Sequence, residues 1–209
     1  MNNIHIIDQP LVQHHLYHLR HKDPSPAEFR RLIQRLSILL AYEATQDLRL
    51  RDTTVQTPLA ETPAKVLDQR IGLVPILRAG LGMVDPILHL IPDAEVWHLG
   101  FYRDEKTLCP VEYYKKLPAG GAVDVAFVLD PMLATGGSAV AALEAVEKWG
   151  VGQAKLLSMI AAPEGVAKVQ ARFPNASIYV CALDERLNDS GFILPGLGDA
   201  GDRTFNARA

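Results

Sequence analysis

The feature that most constrains the fold is an alternation of apolar runs and helical segments that begins near residue 70. The runs are short and rich in Val, Ile and Leu, which is typical of strands buried on both faces. Strands that alternate with helices predict an α/β fold with a mostly parallel sheet covered on both sides. The predicted strands are IGLVPIL, EVWHLGFY, VDVAFVLD, AKLLSMIAA and SIYVCAL, and the segments between them include RAGLGMVDPILHLI (a loop that leads into a helix), AVAALEAVEKW and PEGVAKVQARF.

A long helix is predicted ahead of this alternation. Ser25 is placed to be its N-cap, Pro26 to take the first helical position and Glu28 to complete a capping box. An apolar stripe at helical spacing follows, formed by Phe29, Leu32, Ile33, Leu36, Leu39 and Leu40. With 209 residues, we expect one domain over residues 1–209, made of an N-terminal helical arm (1–68), an α/β core (69–184) and a C-terminal segment (185–209).

Composition narrows the classes of function. A net charge of −3 disfavours binding to nucleic acid or to anionic membranes. The two cysteines, Cys109 and Cys181, show no disulfide-framework spacing and indicate a reducing compartment. The first residues, MNNIHIIDQP, lack the pattern of a signal peptide, and no apolar window of about 18 residues exists. We therefore expect a soluble, cytoplasmic protein.

The stretch DPMLATGGS lies between a predicted strand and a predicted helix, where open α/β folds bind ligands. No lysine follows its glycines, so it is not a Walker A loop. Its consecutive N–H groups and two hydroxyls at a helix start suit a phosphate monoester, and Asp130 could accept hydrogen bonds from ribose hydroxyls. A tight turn with a serine cap is the alternative interpretation of this stretch taken alone.

Two further segments break the alternation. Residues 103–121 form a long polar connection of the size typical of a lid or binding loop. The C-terminal segment carries Gly191, Gly196, Gly198 and Gly201 without an apolar period, which indicates close approach of its backbone to another group. A disordered tail is the alternative, but the apolar run 192–194 disfavours it.

Several polar residues allow more than one interpretation. His14, His15, His18 and His21 could suggest a metal site, but no carboxylate or cysteine pattern accompanies them, and solvated helix histidines are favoured. Cys109 is interpreted as a bystander thiol. From position alone, a surface arginine is the commoner reading of Arg78, and a solvated loop charge is not excluded for Arg103.

The sequence also resembles a known protein family. VLDPMLATGGS resembles the phosphoribosyl diphosphate (PRPP) loop of the phosphoribosyltransferases, in the form found in the uracil phosphoribosyltransferase family. LLAYEAT, PILRAGLGM, LGFYRDE, PVEYYKKLP and PGLGDAGDR extend the similarity, in order, over nearly the whole chain. The resemblance implies a parallel-sheet, Rossmann-like phosphoribosyltransferase core and a C-terminal hood (residues 185–209) over the base. It implies transfer of the phosphoribosyl group of PRPP to uracil, giving UMP and pyrophosphate in pyrimidine salvage.

The same resemblance implies roles for individual residues. Arg78, Arg103 and Asp130 are expected to be catalytic, with the two arginines taking up charge on the diphosphate. Two adjacent acids occur in many PRPP loops, whereas here Pro131 follows Asp130, so one loop carboxylate remains for the ribose. The implied uracil ligands are Ile193, Gly198, Asp199 and Ala200, largely through backbone groups. The implied PRPP ligands are Arg78, Arg103, Asp130, Pro131, Met132, Leu133, Ala134, Thr135, Gly136, Gly137, Ser138 and Asp199.

The expected cofactor is Mg²⁺ bound with PRPP rather than by a dedicated protein site, and no general base is evident. The resemblance favours a homodimer or homotetramer and allows GTP as an allosteric activator, without a nucleic-acid or membrane partner. Three alternatives stay open: a phosphoribosyltransferase for another base, an RNA-binding regulator that retains the PRPP loop, and a nucleotide-binding module without catalysis.

Overall fold

The computed structural model describes residues 3–103, 110–118 and 120–207. Their centre is a nine-stranded sheet in the order β1-β11-β10-β8-β4-β6-β7, with β5 beside β4 and β9 beside β10. Every described pairing in it is parallel except that of β6 with β7. The strands are β1 Ile4–Ile6, β2 Leu50–Gln56, β3 Glu61–Leu67, β4 Ile71–Leu77, β5 Glu95–Val96, β6 Leu99–Arg103, β7 Pro110–Lys115, β8 Val125–Leu129, β9 Met132–Leu133, β10 Gln153–Ala161, β11 Ser177–Leu183, β12 Arg186–Leu187 and β13 Ile193–Leu194.

Helices cover both faces of the sheet, as the alternation predicts. Successive residues of a strand point to opposite faces, and in β8 Phe127 joins one apolar cluster while Ala126 and Val128 join the other. The first cluster contains residues of α1, α2 and α3, and the second contains residues of α4 and α5. The α/β prediction is confirmed. The helices are α1 Pro10–Arg20, α2 Pro26–Ala44, a 3-10 helix Ala79–Met83, α3 Val84–Leu90, α4 Gly137–Trp149, α5 Pro163–Arg172 and α6 Ala200–Phe205.

The predicted start of the long helix α2 is confirmed. The Ser25 hydroxyl accepts a hydrogen bond from the Glu28 N–H, and the Glu28 carboxylate accepts one from the Ser25 N–H at 2.9 Å. Phe29, Ile33 and Leu36 are fully buried against the sheet. This stripe fixes α2 across the first face, because the apolar side chains leave water only when they pack there.

Two parts of the core differ from the sequence prediction. The predicted strand EVWHLGFY is two strands, β5 and β6, which both pair with β4. The connection 103–121 contains strand β7, antiparallel to β6, so this part is not a loop. The lid prediction for residues 104–109 lies outside the described residues.

The arm also holds a hairpin that was not predicted. Strands β2 and β3 pair from Leu50 with Leu67 to Gln56 with Glu61. Both strands are exposed along most of their length. Apolar alternation is the main signal for a strand, and a strand that buries neither face gives little of it.

In the described ranges, no helix is both long enough and apolar enough to cross a lipid bilayer.

Candidate active site

A cavity of about 590 Å³ opens at the carboxyl ends of β4 and β8. Parallel strands present ligand-binding loops at this edge of an α/β sheet. The 3-10 helix, the loop after β8 and the hood all reach the cavity. Its lining consists of Ile76, Leu77, Arg78, Ala79, Phe101, Tyr113, Asp130, Met132, Ala134, Ser138, Ser190, Gly191, Phe192, Asp199, Ala200 and Gly201.

The loop from Asp130 to Ser138, called the PRPP loop here, alternates between core and cavity. Met132 and Ala134 line the cavity. Pro131 and Leu133 are buried instead, and their carbonyls accept hydrogen bonds from Met159 N–H and Ala162 N–H of the neighbouring chain at 3.0 and 2.9 Å. The loop is therefore anchored to the sheet through every second residue, with Met132 and Ala134 left towards the cavity.

Gly136 allows the PRPP loop to turn into helix α4. It is the N-cap of α4 with a φ of 75°, a backbone conformation that side chains other than glycine rarely adopt. A Cβ at this position would lie 2.8 Å from the Gly165 carbonyl oxygen at the start of α5. Gly136 has no side chain with which to cap α4, and the N-terminus of a helix favours an anion. Ser138 lines the cavity, whereas Thr135, Gly136 and Gly137 are not part of its lining.

Among the residues that line the cavity, Asp130 has the most strongly shifted pKa. Its Oδ1 accepts a hydrogen bond from the Met132 N–H at 3.3 Å. Burial raises the pKa of this carboxyl to about 7, the Met132 hydrogen bond opposes the rise, and the negative charge of Asp199 adds to it. The carboxyl can therefore change its charge near neutral pH when its surroundings change.

Arg78 follows β4, the strand next to β8, and lines the cavity. The peptide bond between Leu77 and Arg78 is cis. Gly80, two residues on, packs so tightly on the Leu129 carbonyl that a Cβ there would overlap it. The Arg78 guanidinium lies 3.3 Å from the carboxylate of Asp202 in the hood. Among the described residues, the cavity lining therefore brings together the Arg78 guanidinium and the carboxyl groups of Asp130 and Asp199.

Arg103 ends strand β6, and its side chain lies outside the described residues. Its predicted contact with PRPP stays a prediction. Phe101 of the same strand lines the cavity, so β6 contributes to the site.

The hood closes the cavity from above the sheet. Strands β12 and β13 pair antiparallel, and the Leu194–Pro195 peptide bond that follows is cis. Asp199 is the N-cap of α6 and accepts a hydrogen bond from the Asp202 N–H at 2.8 Å. Asp199 and Ala200 line the cavity, whereas Gly198 lies outside the lining. Ile193 is only 4% exposed and packs into the core.

The sequence prediction missed an aromatic wall. Phe101, Tyr113 and Phe192 line the cavity together with Ser190 and Gly191. Flat apolar rings suit a planar base. Each aromatic comes from a different segment, and β7 was predicted as a loop, so the sequence contained no spacing that would group them. The other lining residues that the prediction missed are Ile76, Leu77, Ala79 and Gly201.

The four histidines lie elsewhere. They line a separate cleft between α1 and α2 together with Arg31 and Arg35. Within the described residues, no group of three or more metal-binding side chains occurs. Cys181 is fully buried, and burial raises the pKa of its thiol to about 12. Cys109 lies outside the described residues.

The arrangement matches what a phosphorylated sugar and a planar ring require. The N-terminus of α4 offers N–H donors, Arg78 offers a cation, Asp130 offers an acceptor near the loop, and the aromatic wall offers flat contact area. These groups line one cavity rather than separate surfaces.

Comparisons with known proteins agree with this geometry. The family model described as uracil phosphoribosyltransferase matches residues 6–207. The uracil phosphoribosyltransferase of Roseiflexus castenholzii is 57% identical over 98% of this chain and 99% of its own, and that of Geobacillus kaustophilus is 51% identical over the full length of both.

Among solved structures, the AQ2163 protein of Aquifex aeolicus superposes with a TM-score of 0.93 at 38% identity, over 99% of both chains. The adenine phosphoribosyltransferase of Trypanosoma brucei superposes with a TM-score of 0.56 at 13% identity, over 95% of this chain and 89% of its own, which is a likeness of fold. The resemblance seen in the sequence is confirmed. The chain therefore belongs to the uracil phosphoribosyltransferase family.

Proposed function

We propose that the cavity at the ends of β4 and β8 is where this chain transfers the phosphoribosyl group of PRPP to uracil, with formation of UMP and pyrophosphate. Membership of the family makes the chain a transferase of pyrimidine salvage. The observation that carries the location is the convergence of the PRPP loop, Arg78 and the hood on this one cavity.

PRPP is proposed to bind along the PRPP loop. Its 5′-phosphate would accept hydrogen bonds from the first N–H groups of α4 and from Ser138, since the helix N-terminus favours an anion. The ribose hydroxyls would donate to Asp130. The diphosphate would lie towards Arg78, whose guanidinium can bind two oxygens at once, and Arg103 is proposed to share this role.

The reaction changes the charge on the ribose and on the diphosphate of PRPP. Displacement at ribose C1 builds positive charge on the sugar and negative charge on the departing diphosphate. Arg78 is placed to stabilise the leaving group. The PRPP loop fixes the ribose so that C1 meets the N1 atom of uracil, which lowers the entropic cost of reaching the transition state. No described side chain is assigned as a general base.

Mg²⁺ is proposed to enter with PRPP. Magnesium in such sites is held by one or two carboxylates plus substrate oxygens, and the cavity offers Asp130 and Asp199 for this purpose. Mg²⁺ usually keeps several waters and binds substrate phosphates, so most of its ligands would come from PRPP and water. When bound, the ion would neutralise charge on the diphosphate.

Uracil is proposed to bind under the hood through backbone groups of Ile193, Gly198 and Ala200, with Asp199 directed to PRPP. The position of Asp199 and Ala200 in the cavity lining supports this. Uracil presents two carbonyl acceptors and an N3–H donor. Cytosine reverses this pattern at N3 and C4, and a site built to hydrogen-bond can reject such a mismatch by a factor on the order of 10⁴.

The wider setting is proposed on similar grounds. The protein is proposed to act in the cytoplasm as a homodimer or homotetramer, with GTP as an allosteric activator and without a nucleic-acid or membrane partner. The half-exposed Leu50, Val55 and Leu67 of the hairpin support self-association. The net charge of −3 supports the lack of polyanionic partners. Activation by GTP rests on the family resemblance.

The experiment is a measurement of pyrophosphate release from PRPP and Mg²⁺ with uracil, cytosine, hypoxanthine or no base. Release with uracil alone, matched by UMP formation, is expected. Release with a different base would overturn the assignment of the hood. A folded protein that binds PRPP but releases nothing with any base, with GTP present or absent, would contradict the proposed activity and favour a regulator.

A further inference from the structure

A partly buried ion pair, between Arg20 and Asp184, holds the backbone of the hood at Gly196. Asp184 follows β11, and its side chain is 3% exposed. Its Oδ2 accepts hydrogen bonds from the Gly196 N–H at 2.9 Å and from Arg20 Nη1 at 2.8 Å. The same Nη1 of Arg20 donates to the Gly196 carbonyl at 2.8 Å. Both polar groups of the Gly196 backbone are thus bonded by one pair of charged side chains.

A second arginine fixes the next residue. Arg203 Nη1 donates to the Leu197 carbonyl at 2.6 Å and to the Leu19 carbonyl at 3.0 Å, and its Nη2 donates to the His21 carbonyl at 2.6 Å. Its guanidinium also lies 4.2 Å from the centre of the Phe29 ring. Arg203 therefore ties the hood to the last turn of α1 and to α2 through carbonyls and an aromatic face.

These contacts come directly before the segment proposed to read the base. Gly196 has a φ of 68° and Gly198 a φ of 77°, so the chain turns twice within three residues. A base recognised by backbone groups cannot be selected by the side chains of those same residues. The side chains that fix the backbone must then set the geometry of recognition.

We propose that Arg20, Asp184 and Arg203, called the hood clamp here, are positioning residues for uracil, which they orient by holding the backbone of residues 196–198. This inference rests on the proposed function, since it takes the hood as the base site. None of the three side chains of the hood clamp is part of the cavity lining. Its effect on uracil is therefore indirect.

The chemistry of the hood clamp requires arginine rather than any cation. Arg20 bonds a carboxylate and a carbonyl at once, and Arg203 bonds three carbonyls, which a planar fork with five N–H donors can do. Lysine keeps the charge but concentrates it at one atom, so it cannot keep these distances together. Arginine-to-lysine variants preserve charge and test geometry alone.

The experiment compares R20K and R203K with R70K as the matched control. Arg70 donates to Glu95 at 2.6 Å, and it precedes β4, at the end of that strand away from the cavity. For each variant the KM for uracil is measured at saturating PRPP, the KM for PRPP at saturating uracil, and the melting temperature alongside.

R20K and R203K are each expected to raise the KM for uracil about tenfold, because small displacements of positioning groups cost this much or more. The KM for PRPP of both variants is expected to stay within about twofold of the wild-type value. In the control R70K, both the KM for uracil and the KM for PRPP are expected to stay within that range. A merely structural role would move both KM values together.

Unchanged uracil KM in both lysine variants would overturn the inference. Parallel rises in both KM values, or loss of PRPP binding with unfolding, would assign the contacts to stability and overturn it as well. The activity of the wild-type protein distinguishes a failure of this inference from a failure of the proposed function. If it transfers phosphoribose to a base other than uracil, the proposed function fails, and the same comparison then tests the hood clamp with that base.

Discussion

The guanidinium of Arg78 lies 3.3 Å from the carboxylate of Asp202, so the residue that follows β4 forms an ion pair with the hood. Both side chains are partly exposed, at 58% and 30%. A pair of this kind contributes little to stability, about 0–1 kcal/mol. A diphosphate that binds Arg78 must compete with Asp202 for the same donors.

Asp202→Asn is expected to lower the KM for PRPP about two- to fivefold, because it removes a competing charge of the modest strength typical of exposed pairs. The N-cap bond from the Asp202 N–H to Asp199 involves the backbone and would persist. Steady-state kinetics with varied PRPP measures the effect. Asp189→Asn, at an exposed hood position, is the control. A higher KM for PRPP in D202N would mean that Asp202 helps to bind PRPP.

The affinity for PRPP is expected to rise as the pH increases through about 7, the value to which burial raises the pKa of Asp130. Above this pH the carboxylate can accept hydrogen bonds from the ribose hydroxyls without first losing a proton. The pH profile of kcat/KM for PRPP measures this. Asp130→Asn should remove the step near pH 7, and a step that persists in D130N would assign it to another group.

The same carboxyl predicts a pH dependence of stability. Between about pH 4 and pH 7 the native state keeps a proton on Asp130 that the unfolded chain has lost. The contribution of Asp130 to the free energy of unfolding therefore falls as the pH rises through this window. Urea unfolding of the ligand-free protein at several pH values should show a smaller decline in D130N than in the wild type. Equal declines would exclude Asp130 as the cause.

Gly165→Ala is expected to raise the KM for PRPP about tenfold or more, since small misplacements of binding groups cost this much. A Cβ at Gly165 would overlap the Ala134 carbonyl and push the PRPP loop towards the cavity. Gly152→Ala is the control, because its Cβ would lie 3.6 Å from the nearest atom, in ordinary contact. Kinetics with varied PRPP and thermal melting measure both variants. An unchanged KM for PRPP would show that helix α5 shifts to accommodate the new methyl group and that the PRPP loop stays in place.

Lys155→Met is expected to destabilise the fold by about 1–3 kcal/mol while leaving the KM values unchanged. Lys155 is fully buried, donates to the Ala44 carbonyl at 2.6 Å and pairs with Asp47 at the end of α2. Asp47 is half exposed, so water can hydrate it when the lysine is gone. Urea unfolding measures the loss against K148M, a change at an exposed position of α4. Greater stability in K155M would mean that burial of the Lys155 ammonium destabilises the fold by more than its hydrogen bonds stabilise it.

The fold was predictable to the extent that its residues are buried. The core strands β4, β8, β10 and β11 are apolar for most of their length, and the capping box of α2 has a local signature. The hairpin of β2 and β3 and the strand β7 bury little. Their pairing depends on neighbours that no local pattern records.

The candidate site was predictable where one short segment holds it. Asp130, Met132, Ala134 and Ser138 line the cavity and share one stretch, and Arg78 and Asp199 were reached through the resemblance. Phe101, Tyr113 and Phe192 come together only through the sheet and the hood. The hood clamp unites residues 164 positions apart, Arg20 and Asp184, and no spacing in the sequence connects them.

The pairing of β1 with β11 has a consequence for how the chain matures. Ile4 lies opposite Ile178, so β1 finds its partner only after β11, far along the chain, has also been synthesised. Contacts of such long sequence separation form late and slowly. The hydrogen bonds between the end of α1 and the hood likewise form only after Gly196, Leu197 and Arg203 have been synthesised. A nascent chain that ends before β11 therefore leaves β1 unpaired and the edge of β10 open. A chain that ends between β11 and Gly196 has the complete sheet but lacks the contacts that hold the hood.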